Sequence, residues 1–271
     1  MGIRKISTLV AVGLVASLAA CGSSGGSKSS VKTPSNDLGG RTVTVAVENA
    51  YPPFNYVNKN TNVAEGWDYA TWRAICKQLN CKPVFKEAAF DGMIQAVSQG
   101  QFDTAADGIT ITPDRAKAVA FSNGYIKVEQ RLMVKKGQKK FTSLKQFKAG
   151  NYKVGTQTGT TNFETATKEY GESRVSGFET FPLAVQALLN GDIDAVIIDD
   201  TAGQGYVGAD REKLSLLDGS LKSDALGFIY PKKSPLVAPV NAALKTLTDN
   251  GTLKKISDKY FAPDFQAPVA G

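Results

Sequence analysis

Residues 89–108 read AFDGMIQAVSQGQFDTAADG, and residues 180–199 read TFPLAVQALLNGDIDAVIID. Laid over each other at an offset of 91 residues, the two stretches match at Phe90 and Phe181, Gln95 and Gln186, Ala96 and Ala187, Gly100 and Gly191, and Asp103 and Asp194. Each stretch predicts a helix, a glycine that ends it, a short turn and a buried strand. Although such turns are common in α/β proteins, the repeat predicts two lobes built on similar plans.

The region before the first repeat also alternates strands with helices. Residues 42–47, TVTVAV, place three valines on one face of a predicted strand. Apolar residues at helical spacing predict two helices, one carrying Trp72, Ile75, Cys76 and Leu79 and the next carrying Phe90, Met93, Ile94 and Val97. Strands that alternate with helices of this length predict a parallel or mixed sheet of the α/β class.

Both repeated strands end in polar residues. The first ends in Asp107 and Gly108, and the second ends in Asp199 and Asp200. Ligands of open α/β sheets bind beyond the carboxyl ends of the strands. We therefore expect both lobes to present these residues to one shared cleft, which two lobes joined by crossing strands can close by hinge bending.

The first twenty residues have the pattern of an export signal. A short basic start precedes an apolar run that ends at Cys21, and this run is shorter than the roughly 20 residues of a membrane helix. The sequence LAAC resembles the lipobox of bacterial lipoproteins. Residues 1–20 are therefore predicted to be a signal peptide, with Cys21 as a lipidated N-terminus at an extracytoplasmic membrane face. An ordinary cleaved signal with an incidental Cys21 is the alternative.

The composition argues against several classes of function. Residues 21–40 are rich in Gly and Ser and predict a flexible tether. Lys and Arg number 32 against 25 Asp and Glu, but they are scattered, so a solvated surface is predicted rather than nucleic-acid binding. The chain has no histidine, no G-x-S-x-G sequence and no spaced set of metal ligands, so no catalytic residue, metal or cofactor is predicted. The sequence GQGYVG at 203–208 resembles a dinucleotide-binding pattern, but it does not directly follow a strand.

Two further cysteines, Cys76 and Cys81, lie in the sequence ICKQLNCKP. In an oxidising compartment, a pair at this spacing can join the end of a helix to the following strand. A disulfide is therefore predicted, and two free thiols are the alternative.

Six stretches, taken together in this order and spacing, resemble one protein family. They are AVENAYPPFNY (46–56), EGWDYATW (65–72), DGITITPDRAKAVAFSNGY (107–125), KVGTQTGTT (153–161), GDIDAVIIDD (191–200) and ALKTLTDNGTLKKISDKYF (243–261). The chain resembles the amino-acid-binding proteins of ABC transporters, bacterial solute-binding family 3, and especially the glutamine and lysine/arginine/ornithine binders. The resemblance implies a two-lobe type II periplasmic-binding-protein fold of the α/β class, with a mixed sheet flanked by helices in each lobe and two hinge strands between them. It implies residues 41–129 plus 225–262 for lobe 1, 130–224 for lobe 2 and 263–271 for a C-terminal tail.

The resemblance also implies how a free amino acid is bound. Arg115 is expected to meet the ligand carboxylate with a bidentate guanidinium, and Asp199 is expected to accept from the ammonium. Groups that complete the bonding are Gly108, Thr110, Thr160 and Thr161. Aromatic walls around the ligand side chain are expected from Tyr51 and Phe90.

Each of these assignments has an alternative in ordinary protein structure. Arg115 can form a surface salt bridge with Asp114. Asp199 can cap the helix that follows it, although Asp200 can take that place instead. The aromatic residues of the expected walls can belong to the core.

Three residues bear on ligand specificity. Glu48 matches the family position that meets the far end of the ligand side chain, and Asp107 adds a second acid where relatives tend to have a small residue. Gln157 lies where the glutamine binder has a basic residue. These features favour a cationic ligand resembling arginine or lysine, and glutamine or another neutral polar amino acid is the alternative. Asp107 can also turn away to bond the neighbouring loop.

The resemblance therefore implies a monomeric, membrane-anchored lipoprotein that delivers an L-amino acid to the permease of an ABC transporter, with no enzymatic activity. Two other classes occur on this fold. One is an enzyme similar to cyclohexadienyl dehydratases, and the other is a tethered sensor that signals to a receptor.

Overall fold

The structure of the chain, a computed structural model, describes residues 36–269. The predicted signal peptide, the predicted lipidation site Cys21 and most of the predicted tether therefore lie outside the described residues. Within residues 36–269, no helix combines the length and the apolar character needed to cross a bilayer.

The described chain contains strands β1 (Arg41–Val47), β2 (Ala50–Tyr51), β3 (Asn55–Asn58), β4 (Val63–Glu65), β5 (Cys81–Glu87), β6 (Thr104–Ala105), β7 (Val119–Phe121), β8 (Ile126–Lys135), β9 (Val154–Gln157), β10 (Val175–Phe178), β11 (Ala195–Asp199), β12 (Leu214–Leu216), β13 (Lys222–Leu226) and β14 (Ile229–Pro231). Its helices are α1 (Trp67–Leu79), α2 (Met93–Ser98), α3 (Pro113–Ala118), α4 (Leu144–Ala149), α5 (Thr161–Tyr170), α6 (Phe181–Asn190), α7 (Asp200–Ala209), α8 (Val237–Asp249) and α9 (Thr252–Tyr260).

The two large sheets share one plan. The first is ordered β5-β1-β6-β14-β7, and the second is ordered β10-β9-β11-β8-β12, with β13 also paired to β8. In each sheet the first three strands are parallel, and the fourth runs antiparallel to the third. Lobe 1 is the part built on the first sheet, and lobe 2 is the part built on the second. The predicted α/β fold with two similar lobes is confirmed.

The internal repeat is visible in the hydrogen bonds of both lobes. In lobe 1, Asp103 Oδ2 accepts from the backbone N–H of Thr44 at 2.8 Å. In lobe 2, Asp194 Oδ2 accepts from the backbone N–H of Lys153 at 2.9 Å. The repeated aspartates therefore make equivalent hydrogen bonds. Each joins the turn before one strand to a backbone N–H in the neighbouring strand or directly before it.

The second predicted helix begins later than its apolar spacing indicated. The spacing placed Phe90 inside this helix, but α2 begins at Met93. Gly92 has a left-handed φ of 86°, which a right-handed helix cannot contain. Phe90 therefore lies in the bend before α2, where its backbone N–H is not committed to a helix.

Two adjacent strands carry the chain between the lobes. The chain enters β8 after β7 of lobe 1 and returns through β13 to β14 of lobe 1. These crossing strands are antiparallel partners, with Val128 opposite Asp224. A rotation of the lobes can therefore bend one paired ribbon rather than two separate strands.

Aromatic side chains fill much of both cores. In lobe 1, the rings of Trp67 and Tyr125 stack with centroids 4.7 Å apart, and Tyr125 lies 4.6 Å from Phe228. In lobe 2, Phe147 meets Phe141 edge to face at 4.8 Å. Such rings bury large apolar areas and therefore carry much of the hydrophobic stabilisation.

The last residues of the predicted tether are bound to α1. Leu38 N donates to Leu79 O, and Gly40 N donates to Asn80 O, both at 2.7 Å. The carbonyl groups at the end of a helix lack partners inside it. These bonds satisfy two such carbonyls, so the ordered chain begins before Arg41, where the sequence had placed flexible tether.

The C-terminal tail touches both lobes. On lobe 1, Lys59 N donates to Pro268 O at 2.7 Å. On lobe 2, the guanidinium of Arg211 donates to Asp264 O at 3.3 Å. The tail therefore links the two lobes through hydrogen bonds to Lys59 and Arg211.

The GQGYVG sequence lies within α7, and its glycines permit close packing. A Cβ atom at Gly205 would lie 2.6 Å from Pro52 O of lobe 1, and one at Gly208 would lie 2.3 Å from Phe265 O of the tail. Larger side chains would hold these segments apart. The glycines thus allow α7 to approach lobe 1, a role that the dinucleotide pattern did not indicate.

Cys76 and Cys81 form a disulfide, with Cα atoms 4.5 Å apart. Cys76 lies in the last turn of α1 and Cys81 begins β5. The bond closes a short loop between a helix and the strand that follows it.

We expect the double substitution Cys76→Ala and Cys81→Ala to lower the free energy of unfolding by about 2 kcal/mol, because a short loop is no longer closed in the unfolded chain. Urea unfolding measures this change. Wild-type protein in a reducing agent is the control and is expected to match the double variant. An unchanged urea midpoint in both would contradict the expectation.

Candidate ligand-binding site

A cavity of about 290 Å³ lies between the carboxyl ends of the two sheets. All eleven residues expected at the site line it: Glu48, Tyr51, Phe90, Asp107, Gly108, Thr110, Arg115, Gln157, Thr160, Thr161 and Asp199. Asn162 and Phe181 also line it.

Arg115 in α3 brings a partly buried cation to the cavity. Its Nη1 donates to Thr110 O at 3.1 Å, and its Nη2 donates to Gly159 O of lobe 2 at 3.2 Å. Among residues 36–269 it forms no ion pair with a carboxylate, and Asp114 pairs with Lys117 at 2.6 Å instead. Burial lowers the pKa of the guanidinium. Since the described residues offer this cation carbonyl groups and no carboxylate, it is suited to an anionic ligand group.

The N-terminus of α5 faces the cavity from lobe 2. Thr160 is the capping residue, and its Oγ1 accepts from Phe163 N at 3.1 Å. The hydroxyl oxygens of Thr161 and Thr110 are 3.1 Å apart, which places a hydrogen bond between the lobes. The first N–H groups of a helix have no partner inside it, and the helix dipole favours an anion there. Together with Arg115, this end of α5 forms an anion-binding corner.

Asp199 ends β11 and is buried. Its Oδ2 accepts from Tyr51 OH at 2.7 Å, and its Oδ1 accepts from Asn162 Nδ2 at 3.3 Å. It occupies the N-cap position of α7 without making a capping bond, while Asp200 Oδ1 accepts from Thr201 N at 2.7 Å. Burial raises the pKa of Asp199 to about 6. This carboxylate is therefore mostly charged at neutral pH and is not occupied by helix capping.

Glu48 and Gln157 connect equivalent ends of the two sheets. Glu48 directly follows β1, and Gln157 ends β9. Gln157 Nε2 donates to Glu48 Oε1 at 2.6 Å, and Phe90 N donates to the same oxygen at 3.3 Å. Burial raises the pKa of Glu48 to about 7. The bend before α2 thus supplies a backbone donor to the Glu48 carboxylate.

Asp107 has one bonded and one unbonded oxygen. Its Oδ1 accepts from Asn55 Nδ2 at 2.6 Å. Its Oδ2 is buried and has no hydrogen-bond partner within the described chain. Burial, and next the charge of Glu48, raises the pKa of Asp107 well above its ordinary value. The alternative that Asp107 turns away from the cavity to form hydrogen bonds within the protein therefore applies to Oδ1 alone of its two oxygens in the described chain.

Aromatic rings border the cavity. The centroids of Tyr51 and Phe181 are 5.2 Å apart, and Arg115 Cζ lies 5.8 Å from the Phe90 centroid. Gly108 has a φ of 58°, and a Cβ atom there would lie 2.5 Å from Tyr51 Cε1. Only glycine therefore lets the backbone pass this close to the Tyr51 ring. The rings offer an apolar boundary for the stem of a ligand side chain.

The sequence analysis did not select Phe181 or Asn162. Phe181 is the repeat partner of Phe90, so transferring the role of one ring to the other lobe would have found it. Asn162 directly follows Thr161 at the start of α5, where a helix presents its first groups to the cavity. No separate sequence signal marked its contact with Asp199.

The sequence was also compared with known proteins. The model of the bacterial extracellular solute-binding proteins, family 3, matches residues 43–263. The chain belongs to this family. Its members are extracellular solute-binding proteins, and the predicted recognition of the family is confirmed.

Individual relatives of this solute-binding protein carry different ligand names. The arginine-binding periplasmic protein of Mannheimia haemolytica is 32% identical over 221 residues, covering 80% of this chain and 90% of that protein. The ABC transporter glutamine-binding protein GlnH of Bacillus subtilis (strain 168) is 30% identical over 273 residues, covering 96% and 98%. The crystal structure of AncCDT-1, described as an ancestral amino acid-binding protein and a precursor of cyclohexadienyl dehydratase, is similar with a TM-score of 0.75 and 32% identity, covering 81% of this chain and 95% of that one.

The cavity of the solute-binding protein holds more acids than bases. Glu48, Asp107 and Asp199 line it with Arg115 as the one cationic side chain among its lining residues in the described part. Burial raises the pKa of each of these three acids. Because buried like charges disfavour ionisation, a cationic group between them would be stabilised and would lower their pKa values.

The raised pKa of Glu48 predicts a pH dependence of stability. Between its ordinary value of 4.5 and about 7, the folded ligand-free protein binds more protons than the unfolded chain. The free energy of unfolding contributed by Glu48 is therefore fully present below about pH 4.5 and is lost as pH rises toward 7. Urea unfolding at about pH 5 and about pH 8 measures the difference.

Glu48→Gln is expected to reduce this difference, by an amount on the order of 1 to 3 kcal/mol. Glu172→Gln, which changes an exposed acid, is the control and is expected to leave the difference as in the wild type. An equal pH dependence in wild type and Glu48→Gln would contradict the expectation.

Proposed function

We propose that the protein captures a free L-amino acid with a cationic side chain in the interlobe cavity and delivers it to an ABC transporter. The observation that carries the proposal is the pairing of two complementary charges at one cavity. Arg115 has no carboxylate partner among the described residues, while Asp199 presents a buried carboxylate. A free amino acid carries the two opposite charges that this pair requires.

The ligand carboxylate lies at the anion-binding corner in this proposal. The guanidinium of Arg115 can form two parallel bonds with it, and the first N–H groups of α5 add donors from lobe 2. The ammonium lies at Asp199, where the proton donor Tyr51 already approaches one oxygen at 2.7 Å. Both ends of the ligand backbone are then hydrogen-bonded, which is what burial of a zwitterion demands.

Binding is coupled to closure of the two lobes in the proposal. Lobe 1 supplies Arg115, and lobe 2 supplies Asp199 together with the start of α5. Direct bonds also join the lobes, among them Tyr206 OH to Ala50 O at 2.6 Å. A ligand that contacts both lobes stabilises the arrangement in which they meet, and it stabilises an open arrangement less.

The acids beyond the ligand backbone favour a cationic side chain. With Asp199 assigned to the ammonium, Glu48 and Asp107 remain, and Asp107 Oδ2 has no partner within residues 36–269. A guanidinium or an ammonium can neutralise both and remove their mutual repulsion. The alternative is glutamine or another neutral polar ligand, and the similarity to a glutamine-binding protein supports it.

Location and partners are also part of the proposal. The LAAC sequence at residues 18–21 supports a signal peptide and a lipid anchor at Cys21, which places the protein outside the cytoplasm on a membrane face. We propose that it acts as a monomer and meets the transporter permease with both lobes closed. The absence of histidine from the chain supports binding without catalysis, and a signalling receptor in place of the permease is the other partner class.

We expect Arg115→Ala and Asp199→Asn each to weaken binding of every amino acid about 100-fold or more, because each removes the partner of a ligand charge. Isothermal titration of the ligand-stripped mature chain against the twenty L-amino acids and ornithine measures the affinities. Lys117→Ala and Asp200→Asn change neighbouring charges and are expected to bind as the wild type does. Wild-type affinity in both site variants, with folding intact, would refute the assignment.

The acids predicted to select the ligand are tested separately. Glu48→Gln and Asp107→Asn are each expected to weaken arginine binding about tenfold, since each removes one charge facing the cationic tip. Glutamine binding should change by less than about threefold. The same titrations measure both ligands. A wild-type protein that binds glutamine and not arginine, lysine or ornithine would retain the backbone site and reject the cationic assignment.

A further inference from the structure

Asn55 lies behind the cavity and uses its whole amide group. Its Oδ1 accepts from Asn49 N at 2.8 Å. Its Nδ2 donates to Asp107 Oδ1 at 2.6 Å and to Asp68 Oδ2 at 2.9 Å. Asn55 and Asp68 are fully buried, and neither lines the cavity.

These bonds fix the orientation of the Asn55 amide. A side-chain amide has one acceptor oxygen and two N–H donors. The backbone N–H of Asn49 requires an oxygen, and the two carboxylates require donors. A flipped amide would set a donor against a donor and an oxygen against two acids, so only one orientation satisfies all three neighbours.

The fixed amide holds one oxygen of Asp107, while the backbone of Glu48 also favours the charged form of this carboxylate and lowers its pKa. Oδ1 is held by Asn55, and Oδ2 remains without a hydrogen-bond partner in the described chain. Asp107 lines the cavity. Without Asn55, the Asp107 carboxylate would lose its side-chain donor, and no shared donor would lie between Asp107 and Asp68 to offset their repulsion.

We propose that Asn55 is a positioning residue for ligand selectivity: it holds Asp107 with one oxygen free to accept a cationic ligand side chain. The inference rests on the proposed function, since it presumes that the cavity takes an amino acid. Asn55 acts through Asp107 and does not touch the ligand. Its effect is therefore confined to ligands whose side chain reaches Asp107 with a positive charge.

The first test compares arginine with glutamine in titrations of the Asn55→Ala mature chain. Arginine affinity is expected to fall about tenfold, because the acceptor for the cationic tip is no longer oriented, and glutamine affinity is expected to change less than about threefold. Asn58→Ala is the control, because Asn58 lies on the same strand and its amide donates to Glu65 at 2.7 Å instead. Equal losses for both ligands, or no loss for arginine, would overturn the inference.

A double-mutant cycle separates positioning from a general loss of structure. If Asn55 acts through Asp107, adding Asn55→Ala to Asp107→Asn should not change arginine affinity further. Additive losses would assign Asn55 a structural role and overturn the inference. Should Asn55→Ala fail to fold, Asn55→Ser, which offers a single hydroxyl donor in place of the amide, is subjected to the same cycle.

A third measurement does not depend on any amino acid. Carboxyl NMR titration of the ligand-free protein follows Asp107 directly. Burial and the charges of Glu48 and Asp68 raise the Asp107 pKa, whereas the bond from Asn55 and the backbone of Glu48 lower it. Asn55→Ala is therefore expected to raise that pKa further, and Asn58→Ala is expected to leave it unchanged. A wild type that binds no amino acid, combined with this pKa change, would reject the proposed function while retaining the positioning of Asp107. An unchanged Asp107 pKa would overturn the positioning itself.

Discussion

The arrangement of the interlobe cavity depends on the cost of burying the charged side chains of Arg115 and Asp199. Removing a charged group from water is costly unless an opposite charge or several hydrogen bonds replace the water. At the cavity, the guanidinium of Arg115 donates to two carbonyl oxygens, and the carboxylate of Asp199 accepts from a phenol and an amide. Within residues 36–269, neither group forms an ion pair with an opposite charge, and in the proposed function the ligand supplies one to each. The order of the strands and the facing of the two lobes bring Arg115 of lobe 1 and Asp199 of lobe 2 to the same cavity.

The repeated plan of the lobes explains why the groups converge. Parallel strands present their carboxyl ends at one edge of a sheet, and here the two edges face each other. Glu48 after β1 meets Gln157 at the end of β9, the equivalent strand, at 2.6 Å. The symmetry is one of architecture and not of charge, because an acid in one lobe faces an amide in the other. That difference allows a bond across the interface where two acids would repel.

Patterns of residue type predicted the repeat, the sheet class and the polar strand ends at Asp107, Gly108 and Asp199, because apolar spacing and strand ends are local properties. The other residues around the cavity were expected from the resemblance to the solute-binding family. The patterns placed Phe90 inside a helix, since its spacing fits one, but the left-handed φ of Gly92 is a backbone feature that apolar spacing does not report. Asn55 escaped notice for another reason. It lies on β3, 52 residues from Asp107 in the chain, and only the folded arrangement brings its amide between two acids.

The C-terminal tail gives the chain a property that its strands do not. It is hydrogen-bonded to Lys59 on lobe 1 and to Arg211 on lobe 2, and Phe265 lies against Gly208. A rotation of the lobes must therefore either move the tail with one lobe or break its hydrogen bonds to the other. The tail links the two lobes from outside the cavity, so whether its hydrogen bonds are formed depends on the angle between the lobes. A chemical probe near residue 269 would therefore report the opening of the lobes at a distance from the ligand site.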